Sequence, residues 1–246
     1  LHPSSLADHE TFYILHRRRQ WSAGEAKWIG WERKRGKLHE LNRLLRGATG
    51  TSFIDDAISP AAYPKSIKYV VTLDSDTRLP RDTVRRLVGK MLHPLNAPVS
   101  SAIEQRVVDG YAVLQPRVTP SLPTDQDASL FQRLFSSTGG IDPYAGAVSD
   151  VYQDLFGEGS FAGKGIYDID AFEAATAGRF PDNAILSHDL VEGIYARAGL
   201  ATDVEVIEEF PSRYDVARAR DHRWVRGDWQ LLAWIITGRA AFGIAR

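Results

Sequence analysis

The stretch Ile67-Lys68-Tyr69-Val70-Val71-Thr72-Leu73-Asp74-Ser75-Asp76 decides the fold. From Ile67 to Leu73 every position but Lys68 is β-branched, aromatic or aliphatic, the composition of a buried strand, here read over Ser66 to Asp74. Two carboxylates stand where that strand ends. Pro80 then opens a helix running to about His93, with proline suited to the first turn. Towards the N-terminus, Gly47 to Pro64 is turn-rich. Leu38, Leu41, Leu44 and Leu45 recur at helical spacing over Gly36 to Arg46. Trp21 to Trp31, with its three tryptophans and two glycines, reads as a loop, and Thr11 to Leu15 as a short strand before the basic run His16 to Arg19.

Towards the C-terminus, Tyr111 to Leu114 is a strand candidate, and Asp125 to Phe135 and Gly146 to Phe156 read as helices. The glycine-rich stretch Gly157 to Gly165 follows. Asp168 or Asp170 caps a helix ending near Gly178, and Ser187 begins another whose stop signal is Gly199. Ala201 to Ile207 is a strand, and Arg213 to Trp234 a long amphipathic helical region. Strands alternating with helices predict an α/β fold with a mixed, mostly parallel sheet flanked by helices.

Composition narrows the function. The chain has 246 residues, enough for one large α/β domain or two small ones. Thirty basic residues against thirty-one acidic ones leave a net charge of −1, without the basic excess that nucleic-acid binding needs. With no cysteine there is no disulfide, thiolate nucleophile or cysteine-bound zinc. No apolar run approaches the roughly 20 residues that span a bilayer. The opening Leu1-His2-Pro3 lacks an initiating methionine and reads as part of a longer protein.

Three short motifs carry chemistry. Asp74-Ser75-Asp76 lies beyond a strand's carboxyl end, where α/β sheets collect ligands. Two ionised carboxylates so close repel each other, and a divalent cation removes the conflict while bridging to substrate phosphates. A lone pair of this kind also suits a solvated turn; the buried strand before it favours metal. Ser187-His188-Asp189 enters a helix, where the dipole keeps a carboxylate ionised and able to take a proton from an attacking hydroxyl. An ordinary helix cap is the simpler role for a lone aspartate there. In Arg220-Asp221-His222-Arg223-Trp224, arginines three apart share a helical face and suit a diphosphate, and tryptophan offers a flat face to a sugar. Arg218 and Arg226 extend that cationic cluster. Lys37 is a softer candidate for phosphate, and Gly157 to Gly165 would let backbone approach a ligand.

In order along the chain, Gly36 to Asn42, Asp74 to Asp76, Ser187 to Asp189 and Arg220 to Trp224 resemble the motif set of the family-2-type glycosyltransferases of the GT-A fold. Longer blocks, Gly30 to Leu45, Asp154 to Tyr167, Leu186 to Gly193 and His222 to Gln230, resemble most the glycosyltransferase family 84 domain of cyclic β-1,2-glucan synthases. The likeness covers the chain from about Phe12 onward. It implies a partial GT-A catalytic domain over 1–246, with a core at about 11–210, an Arg/Trp-rich acceptor-side segment at 211–246, and the first β-α-β elements lying before Leu1.

The resemblance further implies UDP-glucose as donor, a growing β-1,2-glucan as acceptor, and Mg²⁺ or Mn²⁺ as cofactor. Asp74 and Asp76 would hold the metal and diphosphate. Asp189 would be the general base of an inverting transfer. Arg220 and Arg223 would lie near the diphosphate, and Trp224 under the acceptor sugar. The loop Glu158 to Lys164, with Glu158, Gly159 and Ser160 as its substrate-binding residues, would line the acceptor side, and Lys37 would add a further substrate contact. The parent protein would be membrane-embedded through segments outside this chain and act at the cytoplasmic face of a bacterial inner membrane. Another processive glycan synthase, a non-catalytic carbohydrate-binding or assembly module and a metal-dependent phosphohydrolase are the alternatives. The last lacks the additional ligands that such sites usually need.

Overall fold

The structure is a computed structural model that describes residues 12–54, 66–121, 128–136, 147–180, 182 and 185–237. The chain divides into two compact units, Leu1–Lys68 with Asp182–Ala184, and Tyr69–Pro181 with Ile185–Arg246.

In the first unit, β1 (Gln20–Ser22) and β2 (Lys27–Ile29) form an antiparallel hairpin. The sequence pointed to a loop there. Trp21 and Trp28 face each other across the strands with ring centroids 6.0 Å apart, edge to face. Such cross-strand aromatic pairs stabilise a short ribbon that propensity alone does not reveal. Helix α1 (Arg33–Leu45) follows, starting one turn before the expected Gly36. The expected strand at Thr11 to Leu15 is absent among the described residues. Phe12 and Ile14 are 89% and 92% exposed, and the pairing nearby is a single bridge between Arg17 and Phe53.

A buried ion pair ties this unit together. Arg17 Nε lies 2.7 Å from Glu40 Oε2, and its Nη atoms donate to the carbonyls of Trp31 and Arg33 at 2.8 and 3.1 Å. Ser52 donates to the same carboxylate through its backbone N–H, at 2.8 Å, and through its hydroxyl. These donors satisfy Glu40's lone pairs, the condition under which a buried pair holds rather than weakens a fold.

The second unit is built on a five-stranded sheet in the order β3-β8-β7-β9-β4. Its strands are β3 (Tyr69–Thr72), β4 (Thr77–Arg78), β7 (Val113–Pro120), β8 (Gly165–Asp168) and β9 (Ala198–Glu208), and a separate hairpin pairs β5 (Val99–Ser101) with β6 (Arg106–Asp109). Its helices are α2 (Thr83–Met91), α3 (Leu130–Phe135), α4 (Ala147–Phe156), α5 (Ile169–Thr176), α6 (Asp189–Ala196) and α7 (Tyr214–Thr237). Leu87 and Met91 of α2 pack on Leu114 of β7, Ile166 of β8, and Ala201 and Val204 of β9.

The α/β class with a mixed sheet and flanking helices stands. The balance of pairings does not favour parallel ones: β7 and β9 pair in parallel, while β3·β8, β7·β8 and β4·β9 are antiparallel. The cause is β8. Strands β3, β7 and β9 run the same way, but the reversed β8 lies between β3 and β7. This four-residue strand, buried throughout, was hidden behind the glycine-rich stretch.

Two further details depart from the sequence patterns. Helix α6 stops at Arg197, whose φ is +50°, and Gly199 belongs to β9. There a Cβ would stand 2.8 Å from both Leu114 and Tyr111, so Gly199 serves close packing rather than helix termination. Strand β7 continues through Pro116, which lacks an N–H for the ladder, and the register with β9 slips between Pro116 and Arg117. Proline inside a sheet is tolerated at such irregularities.

Candidate active site

The carboxyl end of the sheet gathers the acidic groups. Asp74 and Asp76 follow β3 in a tight turn: Thr77 N–H donates to Asp74 O at 3.1 Å, and Asp74 N–H donates to Thr77 Oγ1 at 3.3 Å. Pairing of β4 with β9 places this turn against the end of β9, where Glu209 N–H donates to Asp76 O at 3.3 Å. One carboxylate oxygen from each of Asp74, Asp76 and Glu208 lies within 4.8 Å of the others. The motif supplied the first two. Glu208 was missed because its only local signal is its position at the end of a strand.

Lys164 enters this cluster from the start of β8. Its side chain is 5% exposed, and its Nζ lies 3.3 Å from Asp74 Oδ2 and 3.3 Å from Glu208 Oε2. Burial pushes the Glu208 carboxyl above its ordinary value. The Lys164 ammonium opposes that rise, Asp76 adds to it, and Arg220 opposes it. The upward shift means that burial and like charge outweigh the cations present.

Asp189 meets the same segment one residue earlier. It opens α6 and is half-buried. Gly163 has φ +79°, and a Cβ there would stand 2.7, 2.9 and 3.0 Å from the Oδ2, Cγ and Oδ1 atoms of Asp189. Gly163 O also accepts a 3.1 Å hydrogen bond from Thr72 Oγ1, at the end of β3. The dipeptide Gly163–Lys164 thus touches Asp189 with one residue and Asp74 and Glu208 with the next. Aspartates from separate motifs are brought to one end of one sheet.

Helix α7 closes on the Asp189 side. Leu186 N–H donates to Gln230 Oε1 at 2.9 Å, and a Cβ on Gly227 would stand 2.9 Å from Ser187 Cβ. Arg220 is half-buried, its charge acts on Glu208, and its guanidinium stands 4.7 Å over the Trp224 ring. Arg223 is exposed. The arginine pair therefore divides, with Arg220 turned towards the acids. One face of Trp224 carries an arginine.

Within the second unit, the other candidates lie away from the acids. Glu158 is paired with Arg106 and lies 3.5 Å from Arg197. Gly159 N–H donates to Ala198 O at 2.7 Å, at the opposite end of β9 from Glu208. Ser160 is half-buried on the path back from there. Lys37 is exposed on α1 of the first unit. The part of the glycine-rich stretch that reaches the acidic end is Gly163 and Lys164.

The donor set suits a hard divalent cation. Three carboxylates offer only oxygen, the chemistry of Mg²⁺ or Mn²⁺ rather than of soft-ligand metals. No helix among the described residues is long and apolar enough to cross a membrane.

No family model matches the chain. It is 60% identical over 224 residues to the cyclic beta-(1,2)-glucan synthase NdvB of Rhizobium meliloti (strain 1021). The match covers 91% of this chain and 8% of that protein, so the chain spans a small segment of its relative. Over that segment nearly the whole of this chain is similar to a cyclic beta-(1,2)-glucan synthase.

Proposed function

We propose that this chain is the glucosyl-transferring segment of a cyclic β-1,2-glucan synthase, using UDP-glucose as donor and a growing β-1,2-glucan as acceptor. The observation that carries the proposal is the convergence at Gly163–Lys164: an oxygen-only acidic cluster and a separate aspartate share one end of the sheet. The relative's name supplies the product class.

Asp74, Asp76 and Glu208 would hold Mg²⁺ or Mn²⁺. The ion, when bound, neutralises charge on the departing diphosphate. Asp189 accepts the proton of the acceptor's 2-hydroxyl as that oxygen bonds to the anomeric carbon. The bond from the anomeric carbon to the β-phosphate oxygen breaks, and UDP leaves on the face opposite the attack. Configuration inverts because there is one displacement. Arg220 contributes a further fixed positive charge beside the leaving group. Trp224 would guide the acceptor sugar. The parent protein would be embedded in a bacterial inner membrane by segments outside this chain and draw donor from the cytoplasm.

The test is polymer synthesis from UDP-glucose by the full-length synthase. Asp76→Ala and Asp189→Asn each abolish it, and linkage analysis of the wild-type product finds β-1,2 bonds. Substantial synthesis by either variant removes the mechanism. Another linkage moves the chain to a different glycan.

A further inference from the structure

Lys164 has no place in that mechanism, yet it is the most deeply buried cation at the site. Its side chain is 5% exposed, and its ammonium lies 3.3 Å from one oxygen each of Asp74 and Glu208, two of the three carboxylates of the acidic cluster. Burying a lysine this completely is costly without compensating charge, so the two carboxylates account for its position. The backbone fixes it there. Gly165 opens β8 opposite Thr72, placing residue 164 beside the Asp74 turn, and Gly163 O is held by Thr72.

We infer that Lys164 is a resident counter-cation that weakens divalent-metal binding until a diphosphate arrives, so that metal and donor bind as a coupled pair. The inference rests on the metal-site assignment above. Ionised as a metal requires, the three carboxylates carry three negative charges, and Lys164 returns one positive charge. A divalent ion must therefore enter against an ammonium already in contact with two of its ligands, and like charges at such distances repel strongly in a low-dielectric setting. A diphosphate reverses this. It adds negative charge that ion and ammonium can share, so each ligand raises affinity for the other by the same factor. Carboxylates without the lysine would bind the ion tightly whether or not donor were present.

The experiment measures Mn²⁺ binding to the full-length synthase by electron paramagnetic resonance, with and without UDP, using Asp76→Ala to subtract other sites. Lys164→Met is expected to bind Mn²⁺ at least about tenfold more tightly than wild type without UDP, with the gap shrinking when UDP is present. Lys164→Arg keeps the charge and is expected to stay near wild type. Unchanged or weaker binding by Lys164→Met overturns the inference and makes the lysine a scaffold for the carboxylates. If Lys164→Met fails to fold, the same comparison is made between Glu208→Gln and Lys164→Met/Glu208→Gln, which leaves no Glu208 carboxylate unpaired. The same tightening is expected there, and its absence overturns the inference equally. No Asp76-dependent Mn²⁺ signal in wild type, with or without UDP, would instead sink the metal site itself.

Discussion

Gly163→Ala separates the stability of the fold from the placement of Asp189. At φ +79° an alanine pays the left-handed penalty, about 1–2 kcal/mol, offset by up to about 1 kcal/mol from a stiffer unfolded chain. The added methyl would stand 2.7 Å from Asp189 Oδ2. The carboxylate is the group expected to shift, because a side-chain terminus rotates more readily than backbone, and Gly163 is tied to Thr72 and flanked by the buried Lys164. A general base contributes roughly 10²–10⁴-fold, and a misplacement of about an ångström costs on the order of 10². The expected outcome is therefore about a hundredfold loss of glucan synthesis with a net stability loss of only about 1 kcal/mol. Gly178→Ala is the control. Gly178 has φ +67°, but its Cβ would meet nothing within 4 Å. It carries the same kind of backbone strain and is expected to melt like Gly163→Ala while synthesising normally. The assay is the initial rate of polymer formation from UDP-glucose by the full-length synthase, beside a thermal melt. Gly163→Ala synthesising within about twofold of wild type would refute the placement of Asp189 as base.

Further outcomes follow from the same geometry. Glu208→Gln is expected to weaken Mn²⁺ binding in the presence of UDP by about tenfold or more, read by titration calorimetry; unchanged affinity would exclude Glu208 as a ligand. Because burial raises the native Glu208 pKa above its ordinary 4.5, the fold favours the protonated acid. Glu208's contribution to stability is present below that ordinary value and is lost as pH rises through the raised one. A metal needs the carboxylate, so Mn²⁺ affinity is expected to fall as pH drops through the raised Glu208 value, less steeply in Glu208→Gln. Glu40→Ala strands the buried Arg17 and is expected to cost the first unit about 3–5 kcal/mol, measured by hydrogen exchange of α1. Arg220→Ala is expected to impair donor use more than Arg223→Ala, since Arg220 is the one turned to the acids.

What the sequence revealed depended on how locally each feature is written. The strand before Asp74 and the helix with regular leucine spacing are written in the local sequence pattern, and both appear where it put them, within a few residues. Asp74, Asp76 and Asp189 sit in short motifs at element ends, and it is strand order that brings Asp74 and Asp189 against the adjacent residues Lys164 and Gly163. Glu208 and Lys164 have no such signature. Glu208 ends a strand without a companion motif, and Lys164 lies in a glycine-rich run that pointed to ligand approach on the acceptor side, with nothing local to tie it to the acids. Only the antiparallel insertion of β8 between β3 and β7 delivers Lys164 to Asp74. That insertion also makes the sheet less parallel than the helix–strand alternation suggested. Glu158 and Gly159 share the stretch with Lys164, but it runs the length of β9, so closeness in sequence did not mean closeness to the acids.

The most direct measurement is a crystal structure of this segment, within the smallest portion of the synthase that binds donor, grown with UDP and Mn²⁺ and read by anomalous scattering. The account predicts one manganese peak among the carboxylates of Asp74, Asp76 and Glu208, the diphosphate beside Arg220, and Asp189 on the opposite side of the space left for the sugar. Manganese bound away from those three carboxylates, or UDP on a surface remote from Asp189, would contradict it.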